Sequence, residues 1–273
     1  MTGSRFRVGC TGWGYDDWRE AGFYPPGTSA SEYLERYARV FDVAEVDSSY
    51  YAAPSPAQTR RWAESTPSGF TFTVKFPGDI THKARLRDVA DPLNTFLTGI
   101  EPLRQAGKLG PLLLQLPPGF SRNADGPHLE AFLEQVPDQY RLAVELRHPS
   151  WFVPETYRTL ERRGAALVWS INQYAPTPPM VTADFVYSRF IGDRALDKFS
   201  HVQRDQTPEM REWRERFLSE ARAAKAIYIL LNNHYMGFAP ATAQAMQRIL
   251  ELPEADLTAA ARDRKQRSLI DFG

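Results

Sequence analysis

The chain has 273 residues, of which 42% are hydrophobic and 24% charged, and Lys plus Arg equals Asp plus Glu at 33 each. No apolar run approaches the roughly 20 residues that cross a bilayer, so a membrane partner is not expected, and the balanced charge lacks the overall positive field that non-specific nucleic-acid binding exploits. Met1 to Arg7 has no apolar stretch of the secretory type and the lone Cys10 cannot form an internal disulfide, so a cytoplasmic location is expected.

Short apolar runs alternate with helical patterns, the signature of a parallel sheet covered by helices. The first strand reads Phe6 to Gly12, and a helix beginning near Ser31 carries Leu34, Tyr37, Val40 and Phe41 on one face, with Ser29 and Glu32 as a capping box. Val43 to Tyr51 reads as the second strand, Ser55-Pro56 opens a helix containing Trp62, and Phe70 to Phe76 is the third strand. A helical region from Asp91 to Gln105 leads to the fourth strand, Leu112 to Leu116, stopped by Pro117-Pro118. His128 to Gln135 is helical, Leu142 to Arg147 is the fifth strand, Pro154 to Arg163 a helix, and Ala165 to Ile171 the sixth strand. Asn172 to Pro179 holds three prolines and no apolar period, so the sixth crossover is expected to lack a full helix and to loop over the barrel mouth. Phe185 to Phe190 and Ala226 to Asn232 are the seventh and eighth strands, Thr242 to Leu250 is helical, and a basic tail starts near Arg262. About eight strands in this order predict an α/β fold, one TIM barrel filling residues 1–273 as a single domain.

Side chains alternate across a strand, so one parity packs under the helices and the other faces the barrel axis. Leu142, Val144 and Leu146 take the helix side of the fifth strand, which turns Glu145 and Arg147 inward; Phe70, Phe72, Val74 and Phe76 do the same for Lys75. The same reasoning aims Glu45, Asp47 and Ser49, then Gln115, then Tyr187 and Arg189, and finally Asn232 with His234, toward the axis. All lie late in their strands, at the face where barrel enzymes place their chemistry. Three acids against three bases predict mutual pairing, because a lone buried charge costs several kcal/mol.

Trp13, Tyr15, Trp18, Tyr50, Tyr51, Trp151 and Tyr235 fall in the loops after the strands, where aromatic faces can sandwich a flat ligand. His148 and His234 follow the fifth and eighth strands and His82 the third, positions from which an imidazole can exchange protons near neutral pH. Cys10, among apolar neighbours, reads as a buried inert thiol.

Several ordered motifs carry a family resemblance: Gly9-Cys10-Thr11-Gly12-Trp13, Glu45-Val46-Asp47-Ser48-Ser49-Tyr50-Tyr51, Lys75 with Thr81-His82, Leu114-Gln115-Leu116-Pro117-Pro118, Glu145-Leu146-Arg147-His148-Pro149-Ser150-Trp151, and Asn232-Asn233-His234-Tyr235 with Gly237, Ala239 and Pro240. Over nearly the whole chain these resemble the bacterial YecE-like family, domain of unknown function family seventy-two, and the resemblance implies a TIM barrel but no activity. Two positions depart from it: Asp47 stands where the family has asparagine, and Ile191 where it has histidine. No mechanism through that histidine carries over.

Three functions fit these residues. The first is an enzyme for a small or nucleotide-like anionic substrate, with Lys75, Arg147 and Arg189 holding the anion, Glu145 or His148 moving a proton, and Glu45, Asp47, Gln115, Asn232, Asn233, His234, Trp13 and Trp151 completing the site. The second, metal-dependent nucleic-acid processing, rests on fold analogy and is opposed by the neutral charge and by the lack of paired-histidine spacing. The third is a ligand-binding module without turnover. No cofactor is named by any motif, and no metal site is expected.

Overall fold

The computed structural model describes residues 5–172 and 177–262. Strands β1 (Phe6–Thr11), β2 (Val43–Val46), β3 (Thr71–Lys75), β4 (Leu109–Gln115), β5 (Leu142–Glu145), β6 (Ala166–Asn172), β7 (Phe185–Gly192) and β8 (Ala226–Leu231) pair in parallel with their sequence neighbours. β8 pairs back onto β1, with Cys10 opposite Leu231, so the sheet closes as a TIM barrel. Helices α1 (Asp17–Glu20), α2 (Tyr33–Tyr37), α3 (Pro56–Glu64), α4 (Ala90–Gln105), α5 (Arg122–Gln135), α6 (Pro154–Arg163), α7 (Thr207–Ser219), α8 (Asn233–Met236) and α9 (Ala239–Ile249) fall between and after the strands.

Local signals set these elements. Ser55 accepts from the Gln58 amide ahead of Pro56, and α6 begins at Pro154 and stops at Gly164, whose φ of 63° suits a residue without a Cβ. Near Ser29 the box is half made: the Glu32 carboxylate accepts from the Ser29 amide and hydroxyl, and the helix starts beyond Glu32. At the seam between β1 and β2 the Tyr37 hydroxyl accepts from the Cys10 amide and donates to the Val43 carbonyl, standing in for a ladder bond. Gly9 makes this possible, because a Cβ there would lie 2.1 Å from the Val43 oxygen. Cys10 itself is buried and its thiol pushed far up by burial, which leaves it inert.

Alternation divides the apolar residues into two cores. Phe72, Val74, Leu112, Leu114, Val144 and Leu146 pack under the helices, whereas Val43, Leu113, Ala143, Val168, Phe185, Tyr187, Tyr228 and Leu230 fill the lower barrel.

Two expectations need correction and one helix is added. The second strand ends at Val46, and Ser48–Tyr50 forms a 3-10 turn, so Ser49 is no axis-facing strand residue; its hydroxyl donates to the Val46 and Lys75 carbonyls and pins the turn. His234 lies on α8 rather than on the eighth strand, which stops at Leu231. Helix α7 was not anticipated, although Pro208 in its first turn and buried Met210, Trp213 and Phe217 mark it. In the sixth crossover no helix occurs among the described residues, and 177–184 runs back outside β6. There the Met180 carbonyl accepts from the Trp169 indole, and the Thr182 hydroxyl donates to Ala165 and accepts from the Leu167 amide. Residues 173–176 of that loop, and the basic tail beyond Arg262, lie outside the described residues. None of the described helices is long and apolar enough to cross a membrane.

Candidate functional site

At the C-terminal ends of the strands the inward parity changes from largely apolar to polar and charged. Val43 is followed two residues on by Glu45, Leu113 by Gln115, Ala143 by Glu145, Val168 by Ser170 and Tyr187 by Arg189. These side chains are buried and meet at Arg189, itself 3% exposed. Its Nε and Nη2 donate to the two Glu45 oxygens at 2.9 and 2.6 Å, and its Nη1 donates to Glu145 Oε2 at 2.6 Å. Glu45 also accepts from the Tyr187 hydroxyl at 2.7 Å; that phenol has spent its proton, so the Thr73 hydroxyl, 2.8 Å away, must donate to it. Glu145 Oε1 accepts from Arg147 Nε at 2.7 Å and from the Ser170 hydroxyl at 3.4 Å. One guanidinium therefore bridges two fully buried carboxylates, a fork geometry that lysine could not supply.

A cavity of about 260 Å³ opens above this network, lined by Tyr15, Asp47, Tyr51, Lys75, Gln115, Arg147, Arg189, Ile191, Arg194, Phe199, Asn232, Asn233 and His234. Lys75 donates to Asp47 at 2.9 Å. Asn232 caps α8 by accepting the His234 amide, and Asn233 accepts from the Trp18 indole and the Ala239 amide. Gly192, with φ of 79°, lets the end of β7 approach α8, since a Cβ there would lie 2.3 Å from the His234 carbonyl.

Burial would push the Glu145 carboxyl up, but the adjacent Arg147 and Arg189 outweigh it and hold the group at about 2. Asp47 is likewise raised by burial and more strongly lowered by Lys75 and Arg189. Lys75 moves down, chiefly because burial disfavours its charge, with Asp47 opposing and Arg189 assisting. His234 is lowered by burial. Its Nδ1 lies 2.8 Å from the Leu196 carbonyl, which can only accept, so Nδ1 carries the proton and Nε2 keeps the lone pair. His82 falls to about 4 through burial and through Lys75 and Arg147. The Thr81 hydroxyl donates to the Pro77 carbonyl, so His82 Nδ1 donates to Thr81 and its Nε2 is also the acceptor.

The structure thus brings together Glu45, Asp47, Lys75, Gln115, Glu145, Arg147, Arg189, Asn232, Asn233 and His234. Three expected site residues are elsewhere. His148 caps the 3-10 turn Pro149–Trp151, its Nδ1 accepting from the Ser150 amide, and does not line the cavity. Trp13 packs edge-on against Trp62 and Phe72 in the outer layer. Trp151 stacks on Phe120 and donates to its carbonyl, beside a separate groove between α5 and α6. Glu145 is in the site, but a carboxylate held near 2 by two arginines does not take up protons at neutral pH. Arg194 and Phe199, in the β7–α7 loop, line the cavity without having been anticipated; no periodic pattern marks that loop. Among the described residues no group of three or more His, Cys, Asp or Glu is placed to hold a metal ion.

Comparison with known proteins bears on the family. The model of the family described as "Protein of unknown function DUF72" matches residues 7–267. The UPF0759 protein YecE of Escherichia coli K12 is 38% identical over 156 residues, 57% of this chain and 53% of that protein, so the chain matches about half the length of this relative. The UPF0759 protein YunF of Bacillus subtilis is 23% identical over 276 residues, covering 92% and 96% of the two chains. A DUF72 family protein from Thermotoga maritima superposes with a TM-score of 0.78 at 30% identity, over 90% of this chain and 99% of that one. One from Enterococcus faecalis gives 0.77 at 24% identity, over 92% and 98%, a likeness of fold.

Proposed function

Because this chain belongs to the DUF72 family, defined by sequence and fold and not by a reaction, its function has to come from its site, and we propose that the barrel mouth is the active site of an enzyme for a small anionic substrate. One observation carries this reading: the carboxylates of Glu45 and Glu145 and the amide oxygens of Asn232 and Asn233 are consumed internally, which leaves Asp47 Oδ2 and His234 Nε2 as open acceptors against a larger number of uncommitted donors. Both oxygens of Glu45 and of Glu145 are taken by Arg189, Tyr187, Arg147 and Ser170, and the side-chain oxygens of Asn232 and Asn233 are taken by backbone and indole N–H groups.

The surplus faces the cavity. Arg147 commits only Nε to Glu145, Lys75 commits one N–H to Asp47, and Arg194 makes no side-chain hydrogen bond among the described residues. The amide nitrogen of Asn233 also meets no acceptor among the described residues, at a cost of about 1–3 kcal/mol, but it is buried and has no open surface in the cavity. A lining in which unspent cationic donors outnumber open acceptors, closed below by the buried Arg189 network, favours oxyanions over cations or neutral groups. His234 Nε2, fixed as a lone pair, is the group suited to move a proton, and Lys75 is the cation suited to meet charge that develops beside it.

Turnover of a panel of phosphorylated and carboxylated small molecules tests this. A substrate consumed by the wild type should turn over about 100- to 10,000-fold more slowly in His234→Gln, the usual worth of a positioned acid or base. An anion that binds tightly and is returned unchanged would overturn the catalytic part and leave a binding module.

A further inference from the structure

Tyr51 lines the cavity and yet is 83% exposed. Its neighbour Tyr50 is held in place: Lys75 Nζ lies 4.5 Å from the centre of its ring, and the His82 ring meets it edge-on at 5.0 Å. Tyr51 stands against this fixed ring with centres 5.3 Å apart and planes at 87°. A T-shaped neighbour covers at most one face of a ring, and at this exposure Tyr51 keeps an aromatic face free at the rim. Through Tyr50 that face is only two contacts from Lys75, within the span of one small molecule.

An uncovered aromatic face at the lip of a donor-lined cavity suits a ligand with a planar group joined to an anion. An anion held by Arg147, Lys75 and Arg194 inside a cavity of about 260 Å³ leaves a flat ring attached to it free to reach the rim where Tyr51 stands. Building on the anion reading above, we infer that the natural ligand is a phosphate monoester carrying a planar ring, as aryl phosphates and nucleoside monophosphates do, and that Tyr51 selects it by stacking.

Calorimetric titration of the whole protein with inorganic phosphate, methyl phosphate, phenyl phosphate and adenosine monophosphate tests the assignment. Phenyl phosphate and adenosine monophosphate are expected to bind about tenfold more tightly than methyl phosphate, the worth of one stacked ring. Tyr51→Ala should bring both down to the methyl phosphate level and Tyr51→Phe should keep the preference; the exposure of this side chain makes both variants safe for folding, which their melting temperatures check. Equal affinity for phenyl and methyl phosphate in the wild type, or a preference that survives Tyr51→Ala, would overturn the ring assignment while leaving the anion reading in place. Failure of all four to bind would overturn both. A short single-stranded oligonucleotide binding far more tightly than the mononucleotide would overturn the small-molecule class.

Discussion

The floor and the ceiling of the barrel interior are built from the same strands, two residues apart, yet they answer to different physics. Val43, Leu113, Ala143, Val168 and Leu230 fill the floor and are held by burial alone. Directly above, Glu45, Gln115, Glu145 and Arg189 are just as buried but are held by ion pairs and hydrogen bonds whose partners come from other strands. The floor tolerates a loss locally. The ceiling does not, because each charge there is balanced by another, and only the cavity side of it has donors to spare.

The largest expected effect follows from cutting the ceiling at its centre. Arg189→Leu leaves Glu45 and Glu145 buried without their shared cation and should cost about 3–5 kcal/mol, read from denaturant unfolding. A floor truncation, Leu113→Ala, should cost roughly 2–4 kcal/mol through lost burial and the cavity left behind. If the two proved equal in their dependence on pH, the distinction between floor and ceiling would be wrong, because only the first changes an ionisable network.

That pH dependence has a defined sign. Glu145 sits at about 2 in the folded protein against 4.5 ordinarily, so its contribution is complete above pH 4.5 and is lost as pH falls from 4.5 toward 2. Glu145→Gln should flatten the stability curve in that window and leave its shape near neutrality unchanged. His82, lowered to about 4 from 6.5, is smaller in effect because it is only partly buried; its contribution is present above pH 6.5 and declines as pH falls toward 4. His82→Gln should remove that shallow slope. The smallest expected change in stability, within about 0.5 kcal/mol, belongs to Arg194→Ala, although the same variant should weaken phosphate binding clearly. A large loss of stability there would mean that Arg194 is structural.

Much of this contrast was legible in the sequence because strand parity is a two-residue rule. Leu142, Val144 and Leu146 on one side force Glu145 to the other, and the same holds for Lys75 and Arg189. What parity cannot reach is whatever follows the strand. His148 and His234 both sit just past a strand end, but a serine two residues on captures the Nδ1 of the first, while Leu196, from a loop far away in sequence, orients the second. Trp13 and Trp151 occupy the right loops and turn outward onto Trp62 and Phe120, contacts that no local pattern encodes. The role of Glu145 was equally hidden. A carboxylate in a barrel mouth reads as a proton carrier until two guanidiniums are found at 2.6 and 2.7 Å.

The most direct measurement is the melting temperature of the wild-type protein across rising phosphate at constant ionic strength, beside an Arg147→Ala/Arg194→Ala variant. Unspent donors in the cavity should give the wild type a saturable rise, equivalent to about 2.7 kcal/mol at one hundred times the dissociation constant, and the double variant little or none. A flat wild-type curve, or an equal rise in both proteins, would contradict an anion site at the barrel mouth.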